Sequence, residues 1–84
     1  MISFDIMVNK TSGGIKMSIG ENIRKYRKNL GMTQEELAKK MGVIQPNVHR
    51  WEKGLVTPSL ETIKKLAKIL NVSADGLLFS EEDR

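Results

Sequence analysis

The stretch TQEELAKKMGVIQPNVHRWEK, residues 33–53, decides which fold this chain can adopt. Thr33 and Glu36 have the spacing of a capping box, in which a hydroxyl and a carboxylate each accept a backbone N–H at the start of a helix. Gly42 is the residue type that most readily takes the left-handed conformation after a helix end. The stretch therefore predicts two short helices joined by a tight turn, which is the helix-turn-helix arrangement.

Similar start and stop signals divide the chain from residue 18 to residue 80. Ser18 and Glu21 form a second capping box. Later N-cap candidates are Ser59 and Ser73. The residues suited to a helix end are Gly31, Gly42, Gly54 and Asn71. These signals predict five helices, at about 18–30, 33–41, 45–53, 59–70 and 73–79. No alternating strand pattern competes in this region, so we expect an all-α, compact five-helix domain.

Apolar residues that recur at spacings of three and four predict the buried face of each helix. The positions expected to face the core are Ile23, Tyr26 and Leu30 in the first helix, Leu37, Ala38 and Met41 in the second, Val48, Trp51 and Leu55 in the third and its exit, and Leu60, Ile63, Leu66, Ala67 and Leu70 in the fourth. Three lysines, Lys64, Lys65 and Lys68, lie on the opposite side of the fourth helix and are expected to face solvent.

Composition restricts the class of protein. The chain has 84 residues, which suits one domain, and it has no cysteine, so disulfides and thiolate metal sites are excluded. Its net charge of +4 favours polyanionic partners. No apolar run approaches the ~20 residues that span a bilayer, and no signal peptide pattern is present. We therefore expect a cytoplasmic protein with no membrane partner.

The residues needed for catalysis are scarce. The chain has a single histidine, His49, and shows neither a cluster of paired carboxylates nor a phosphate-binding glycine-rich loop. A metal role for His49 would need a second ligand at a suitable spacing, and the sequence offers none. We expect no enzyme activity, no cofactor and no metal site.

Residues 1–17 form an N-terminal extension that the helical domain does not need. The extension contains TSGG at 11–14, ahead of Met17. Three interpretations stay open: a flexible tail, an appended strand in which residues 2–8 pair with a second copy, and a true start at Met17 that makes the extension an artefact. At the other end of the chain, residues 81–84 form an acidic terminus.

Three segments resemble the Xre/Cro/C1-type helix-turn-helix family of phage repressors and bacterial transcriptional regulators. They are GMTQEELAKKMGV at 31–43, WEKG at 51–54 and PSLETIKKLA at 58–67. Each segment alone is a weak signal, but their order and spacing together are highly specific, and the resemblance runs over roughly 18–80 without internal gaps. It implies a lambda-repressor-like DNA-binding domain whose helix 45–53 lies in the major groove of double-stranded DNA.

The resemblance also implies a role for individual residues. Gln34, first in its helix, would bind a DNA phosphate and brace Gln45. Gln45 would contact a base edge, for which glutamine suits adenine N6 and N7. Arg50, further along the same helix, would reach guanine or a phosphate. Lys53 and Thr57 would touch backbone phosphates. The complete set implied to contact DNA is Thr33, Gln34, Gln45, Pro46, Asn47, His49, Arg50, Lys53 and Thr57.

Arg27 and Glu52 match the family's partly buried ion pair between the first and third helices. Glu52 directly follows the core candidate Trp51, so its carboxylate needs a partner. We expect a contact between the guanidinium and the carboxylate. Loss of one partner from a buried pair of this kind costs about 3–5 kcal/mol, a large share of the stability of a small domain.

Two positions depart from the family pattern at the start of the third helix. Ile44 stands where the family usually has serine or threonine as the N-cap, and the loss of a cap costs about 0.5–2 kcal/mol. Pro46 offsets part of that cost, since proline needs no N–H partner in the first turn. Pro46 also removes a polar side chain and leaves only its ring to pack against a thymine methyl. These departures bear on how much sequence the third helix recognises, not on the fold.

The first functional hypothesis is a sequence-specific transcriptional regulator from a bacterium or a phage, either a repressor or an antitoxin-type autoregulator. It would bind an inverted-repeat operator as a homodimer, with the two recognition helices about 34 Å apart. The candidates for the dimer contact are Leu77, Leu78 and Phe79, because they are more apolar than a chain end needs. The operator sequence, the direction of regulation and any inducer stay open.

The alternative hypothesis is a protein-interaction module that keeps the fold without the DNA function, such as an antitoxin that covers a toxin. Pro46 in the recognition helix and the N-terminal extension favour this alternative. Salt dependence distinguishes the two hypotheses, because a DNA-binding protein loses affinity steeply as the salt concentration rises.

Overall fold

Five α-helices follow one another in residues 18–79, the part of the chain that the computed structural model describes. They are α1 (Ile19–Asn29), α2 (Gln34–Met41), α3 (Gln45–Lys53), α4 (Leu60–Leu70) and α5 (Ala74–Leu78). The predicted all-α fold is confirmed within these residues, and each helix ends close to its predicted bounds. None of the described helices is long and apolar enough to cross a membrane. The interpretations of residues 1–17 and of the acidic end, 81–84, fall outside the described residues.

Side-chain hydroxyls start most of these helices. Glu21 N donates to Ser18 Oγ at 3.1 Å, and the Glu21 carboxylate accepts the N–H of Ser18 at 3.1 Å. Thr33 and Glu36 form the same pair of bonds, so both predicted capping boxes are present. The caps of α4 and α5 are Ser59 and Ser73. These bonds set the helix starts because they satisfy N–H groups that have no partner inside the helix.

Residues in the left-handed conformation end three of the helices. Gly42 and Gly54 follow α2 and α3 with φ of 75° and 77°. Asn71 follows α4 with φ of 62°. The end of α2 is also tied to α4, because Lys65 Nζ donates to the carbonyl of Met41 at 3.0 Å. A cation at this position also complements the negative end of the helix dipole.

One apolar core holds the five helices together. α1 packs against α3, α4 and α5, while α2 packs against α3 and α4, and α4 packs against α5. The buried apolar side chains are Ile23, Leu37, Ala38, Met41, Val48, Trp51, Ile63, Leu66, Ala67, Leu70 and Leu77. Val48 and Trp51 seat α3 on this core, so the outer face of α3 is held in a defined orientation.

Three leucines expected to face the core are exposed instead: Leu55 by 71%, Leu60 by 59% and Leu30 by 49%. Leu55 follows Gly54, whose left-handed backbone ends the helical register. Leu60 is the first residue of α4, where a side chain tilts toward the N-terminus and so extends past the end of the helix. Leu30 is the C-cap of α1, and its ψ of 3° has left the helical range. The predictions for these three residues are wrong because a helical period does not describe the ends of a helix.

Candidate nucleic-acid interface

α2, the turn at 42–44 and α3 form the predicted helix-turn-helix. Gly42 N donates to the carbonyl of Lys39 at 3.1 Å, and Val43 N donates to the carbonyl of Ala38 at 3.0 Å. This pair of bonds is the Schellman motif, which closes the end of α2. Val43 also packs against the core. The turn is therefore held by these backbone bonds and by the packing of the Val43 side chain. It fixes the direction in which α3 begins.

α3 has one buried face and one exposed face. Val48, Trp51 and Glu52 are buried. Pro46, Arg50 and Lys53 recur at spacings of four and three, so together they lie on one side of the helix, away from the core. The exposed residues of this helix are Gln45, Pro46, His49, Arg50 and Lys53. The exposed face of α3 consists wholly of residues from the set that the resemblance implied to contact DNA.

Arg50 is held by a neighbour on its own helix. Its Nη1 donates to Asn47 Oδ1 at 2.9 Å, one turn earlier in α3. Asn47 is half-buried at the margin of the exposed face. The bond orients the guanidinium and leaves its other N–H donors available for a base edge or a phosphate. Asn47 therefore positions Arg50 in addition to any contact of its own.

A line of hydrogen bonds connects the exposed start of α3 to a buried ion pair. Gln45 Nε2 donates to Gln34 Oε1 at 2.7 Å, and Gln34 Nε2 donates to Glu52 Oε1 at 3.0 Å. Arg27 donates to both oxygens of Glu52, from Nε to Oε2 at 2.6 Å and from Nη2 to Oε1 at 3.0 Å. The bond between Gln34 and Gln45 and the ion pair are both present, and they belong to one network.

Arg27 links three parts of the chain. Besides its two bonds to Glu52 in α3, its Nη1 donates to the carbonyl of Met32 at 2.7 Å in the loop before α2. The side chains of Arg27 and Glu52 are both buried, with 8% and 2% of their surface exposed. A buried charge is tolerable only when it is paired and hydrogen-bonded, and both conditions are met here. The ion pair therefore sets the position of α3 relative to α1.

A shallow depression lies in front of the N-terminus of α2. Its lining residues are Arg27, Lys28, Gly31, Met32, Thr33, Gln34, Glu35 and Gln45. The first N–H groups of a helix and its dipole attract anions, and Lys28 adds a positive charge. Glu35 adds a negative charge to the same lining. Thr33 and Gln34 lie at the helix end itself; the Thr33 N–H already donates to the Glu36 carboxylate, so a phosphate oxygen there would meet the backbone N–H of Gln34.

His49 lies on the side of α3 that faces α1. It lines a second depression together with Ser18, Glu21, Arg24, Gln34, Glu52 and Lys53. Among residues 18–79 no group of three or more histidine, aspartate or glutamate side chains comes together as a set of metal ligands. The lining around His49 combines two exposed cations, Arg24 and Lys53, with the carboxylates of Glu21 and the buried Glu52. The histidine belongs to the edge of the polar face of α3.

Sequence reasoning did not assign a role to Arg24 or Lys28 of α1. Each is exposed, and each lines a depression that also contains Gln34. The signal that could have identified them is their spacing of four, which places them on one side of α1, next to the buried Arg27. They add positive charge beside the start of α2 and the polar face of α3.

Lys53 and Thr57 are exposed at the exit of α3. The exit is held by a bond from Leu55 N to the carbonyl of Arg50 at 2.9 Å, and by Pro58, which is buried. Thr57 lines a groove with Ser18, Ile19, Gly20, Trp51, Gly54, Val56 and Pro58. The exit segment is thus positioned by α1, although the segment itself has no regular structure.

The three residues expected to form a dimer contact separate into two groups. Leu77 is fully buried in the core, so it is unavailable to a partner, and its assignment is corrected. Leu78 is partly buried, and Phe79 is 51% exposed. Leu77 is buried because α5 folds back onto α1, where Asn22 Nδ2 donates to the Leu77 carbonyl at 2.9 Å. Asn22 is itself buried, a position that the sequence analysis missed.

The chain is similar to known proteins in both sequence and structure. A family model described as helix-turn-helix matches residues 23–77, the greater part of the chain. The HTH-type transcriptional regulator DicA of Escherichia coli K12 is 40% identical over 68 residues, which cover 81% of this chain and 50% of DicA. The chain therefore spans about half the length of this curated relative.

Solved proteins with a similar fold include the P22 c2 repressor and SinR. The P22 c2 repressor in complex with a synthetic operator has a TM-score of 0.70 and 37% identity, and the match covers 74% of this chain and 94% of that chain. SinR of Bacillus subtilis in complex with DNA has a TM-score of 0.66 and 38% identity, with 70% and 95% covered. SinR in complex with the SinI protein has a TM-score of 0.68 and 38% identity, with 76% and 62% covered.

Proposed function

Because the chain belongs to the helix-turn-helix family, we propose that it is a transcriptional regulator that binds double-stranded DNA in a sequence-specific way. The observation that carries the proposal is α3, which Val48 and Trp51 seat on the core and whose exposed face is polar apart from Pro46. Such a helix fits the major groove of B-DNA, where each base pair presents a distinct set of donors and acceptors. DicA is a transcriptional regulator, and P22 c2 and SinR have been solved with DNA.

In this proposal the exposed face of α3 contacts base edges. Gln45 contacts a base from the start of the helix, and Arg50, oriented by Asn47, contacts guanine or a phosphate. Pro46 lies between them on the exposed face and packs against a thymine methyl. His49 contacts the DNA on the side of α3 that faces α1. Gln45, Pro46 and Arg50 determine base preference, and the charge of Arg50 also adds affinity.

Phosphate contacts come from the elements around α3. Thr33 and Gln34 bind one phosphate at the N-terminus of α2, where the helix dipole favours an anion. Lys53 and Thr57 bind another at the exit of α3. We add Arg24 and Lys28 of α1 to the set, because each is exposed beside Gln34. These contacts position the domain and make its affinity depend on salt.

The regulator acts as a repressor in the cytoplasm and binds an inverted repeat as a homodimer. The P22 c2 relative, a repressor, supports the direction of regulation. A two-fold symmetric dimer matches a two-fold symmetric operator, with the two copies of α3 about 34 Å apart. We place the dimer contact at Leu78 and Phe79, since Phe79 exposes half of its surface next to the end of α5.

A second candidate function is the binding of another protein. Ile44, Leu55 and Leu60 leave much of their apolar surface exposed around the two ends of α3 and at the start of α4. SinR, whose fold is similar, has been solved in complex with SinI. An antitoxin-type protein that covers a toxin would use the fold in this way. In that case DNA affinity would be weak, and it would respond little to substitutions in α3.

Selection of duplexes from a random pool tests the proposal directly. A DNA-binding regulator should enrich one motif, and its affinity for that motif should fall about 10³- to 10⁵-fold between about 50 and 200 mM salt if it makes six to ten phosphate contacts. Enrichment of an inverted repeat would indicate a dimer, and enrichment of a single half-site would indicate a monomer. A protein-interaction module would enrich no motif.

Two substitutions on α3 separate base contacts from phosphate contacts. Arg50→Ala should weaken binding to the selected duplex by about 1–3 kcal/mol and relax the choice of sequence. Lys53→Ala should weaken binding to all duplexes alike and reduce the slope of log affinity against log salt by about 1. Both residues are exposed, so neither substitution should unfold the domain. Fluorescence anisotropy with labelled duplexes measures both effects.

Lys64→Ala is the matched control, since it removes the same charge from the exposed side of α4. It should leave the affinity for the selected duplex nearly unchanged. If Arg50→Ala bound the selected duplex as tightly and as selectively as the wild type, the assignment of the base-contacting face to α3 would be wrong.

A further inference from the structure

We propose that Glu52 is a positioning residue for base recognition: through Gln34 it sets the orientation of the Gln45 amide, and so favours adenine over guanine at the base pair that Gln45 contacts. The inference rests on the proposed function and deepens it. It assigns to a residue of the buried ion pair a part in sequence choice, although Glu52 itself reaches no base.

The hydrogen bond between Glu52 and Gln34 can form in only one direction, with Gln34 as the donor. A carboxylate can only accept hydrogen bonds, and Glu52 Oε1 lies 3.0 Å from the side-chain amide of Gln34. Gln34 must therefore turn its NH2 group toward Glu52, because an amide oxygen in that place would face a second acceptor. One N–H of this NH2 group remains for a DNA phosphate.

The orientation of the Gln34 amide in turn determines the orientation of the Gln45 amide. With its NH2 group turned to Glu52, Gln34 presents Oε1 to the start of α3. That oxygen accepts from Gln45 Nε2 at 2.7 Å. Gln45 is thereby left with a free Oε1 acceptor and one free N–H donor. A glutamine without this partner could turn its amide either way.

The free donor and acceptor of Gln45 match the major-groove edge of adenine and not that of guanine. Adenine presents the N6 donor and the N7 acceptor in the major groove, whereas guanine presents two acceptors, O6 and N7. One free acceptor and one free donor on Gln45 match adenine. If the Gln45 amide were reversed, its oxygen would accept from Gln34 and its NH2 group would face the base. Two N–H donors would then match the two acceptors of guanine. The direction of the hydrogen-bond chain therefore decides between the two purines.

The ion pair keeps this direction fixed before DNA arrives. Both oxygens of Glu52 accept from Arg27, and the side chain of Glu52 is almost fully buried. Glu52 therefore cannot rotate to release Gln34 without breaking a charge-assisted pair. Gln45, by contrast, is exposed at the start of a helix that lacks a side-chain cap. The buried Glu52 therefore orients the exposed Gln45 through Gln34.

The test measures base preference in the full chain with four substitutions, the first of which locates the base pair. The base pair that Gln45 contacts is first identified as the one whose preference is lost in Gln45→Ala. Dissociation constants are then measured for duplexes with adenine or guanine at that position. Glu52→Gln introduces an amide that can donate as well as accept, and Gln34→Met removes the link while the ion pair stays intact. Arg27→Lys weakens the ion pair but keeps a carboxylate at Glu52.

The wild type should prefer adenine by about tenfold or more, as expected for one bidentate contact. Glu52→Gln and Gln34→Met should both reduce the preference to about threefold or less. Arg27→Lys keeps a cation beside the buried Glu52 carboxylate, which stays in place as an acceptor, but it loses the bidentate bonds. It should therefore lower the melting temperature and keep the preference, which separates positioning from simple stability. If Glu52→Gln did not fold, Gln34→Met would test the same link.

Two results would overturn the inference while the proposed function stands. One is a full adenine preference in both Glu52→Gln and Gln34→Met. The other is a loss of preference in Arg27→Lys equal to that in Glu52→Gln, because the preference would then follow the stability of the ion pair. A wild-type protein without salt-dependent DNA binding would instead overturn the proposed function, and this inference with it.

Discussion

Gly20 lies where α1 meets the backbone of α3. A Cβ atom at this position would lie 2.2 Å from the carbonyl oxygen of Trp51 and 2.7 Å from that of Glu52. Neither oxygen can move aside alone, because both belong to the last turns of α3. Any larger residue would therefore push α1 away from the helix that carries Glu52. A single hydrogen atom in place of a side chain brings Arg27 of α1 within reach of its partner.

Gly20→Ala should destabilise the protein by about 1–3 kcal/mol, the usual range for overpacking, although alanine is the better helix former. Urea denaturation measures the difference. Gly76→Ala is the matched control, because a Cβ there would meet Ser73 Oγ at an ordinary 3.5 Å. That variant should be neutral or slightly stabilising. An unfolding free energy of Gly20→Ala equal to that of the wild type would show that the two helices can separate without cost.

At the scale of the element, α3 begins differently from the other four helices. Ile44 occupies its N-cap position with φ of −86° and ψ of 153°, but it makes no side-chain hydrogen bond. The Ile44 side chain is 63% exposed, so it contributes little packing in exchange. Pro46 lies in the first turn and reduces the number of N–H groups that need a partner. The stability of α3 therefore comes from its contacts with the core rather than from an N-cap hydrogen bond.

Ile44→Thr should stabilise the protein by about 0.5 kcal/mol, the low end for an N-cap, because Pro46 has no N–H and the hydroxyl can only share the Asn47 N–H, which already donates to the Ile44 carbonyl at 3.0 Å. The backbone already has the extended conformation of an N-cap residue, so no rearrangement is needed. Thr33→Ala, which removes the equivalent cap from α2, should lower stability by about 0.5–2 kcal/mol. In thermal unfolding, the melting temperature should rise for Ile44→Thr and fall for Thr33→Ala. No gain from Ile44→Thr would mean that water satisfies this helix start equally well.

At the scale of the whole molecule, α5 closes the domain. It packs against α1 and α4, inserts Leu77 into the core and receives a hydrogen bond from Asn22. Leu78 and Phe79 are left at the margin of this contact. One residue of the last helix thus completes the core, while its neighbours are left for the dimer contact that we propose.

Leu77→Ala should cost about 2–5 kcal/mol of stability, as for a fully buried leucine, and Phe79→Ser should cost less than about 0.5 kcal/mol. In the proposed homodimer, Phe79→Ser should weaken binding to an inverted repeat but leave binding to a single half-site unchanged. Denaturation and binding to the two duplexes separate these effects. Equal loss on both duplexes, or no loss on either, would place the dimer contact elsewhere.

The sequence by itself determined the helices and the turn that they enclose. Ser18, Thr33 and Gly42 act through bonds to residues three positions away, so their effect can be predicted from the neighbouring residues in the sequence. The resemblance to a known family supplied the two longer contacts, from Gln34 to Gln45 and from Arg27 to Glu52.

Only the tertiary structure decided which side chains are covered and how those two contacts join. Leu55 and Leu60 have apolar side chains at helical spacings, yet no other helix covers them, whereas Leu77 is covered by α1. The bond from Gln34 to Glu52 joins residues 18 positions apart, in helices whose relative placement depends on the whole core. Local interactions suffice to start and stop a helix, but burial and hydrogen-bond direction depend on elements that the chain brings together only when it folds.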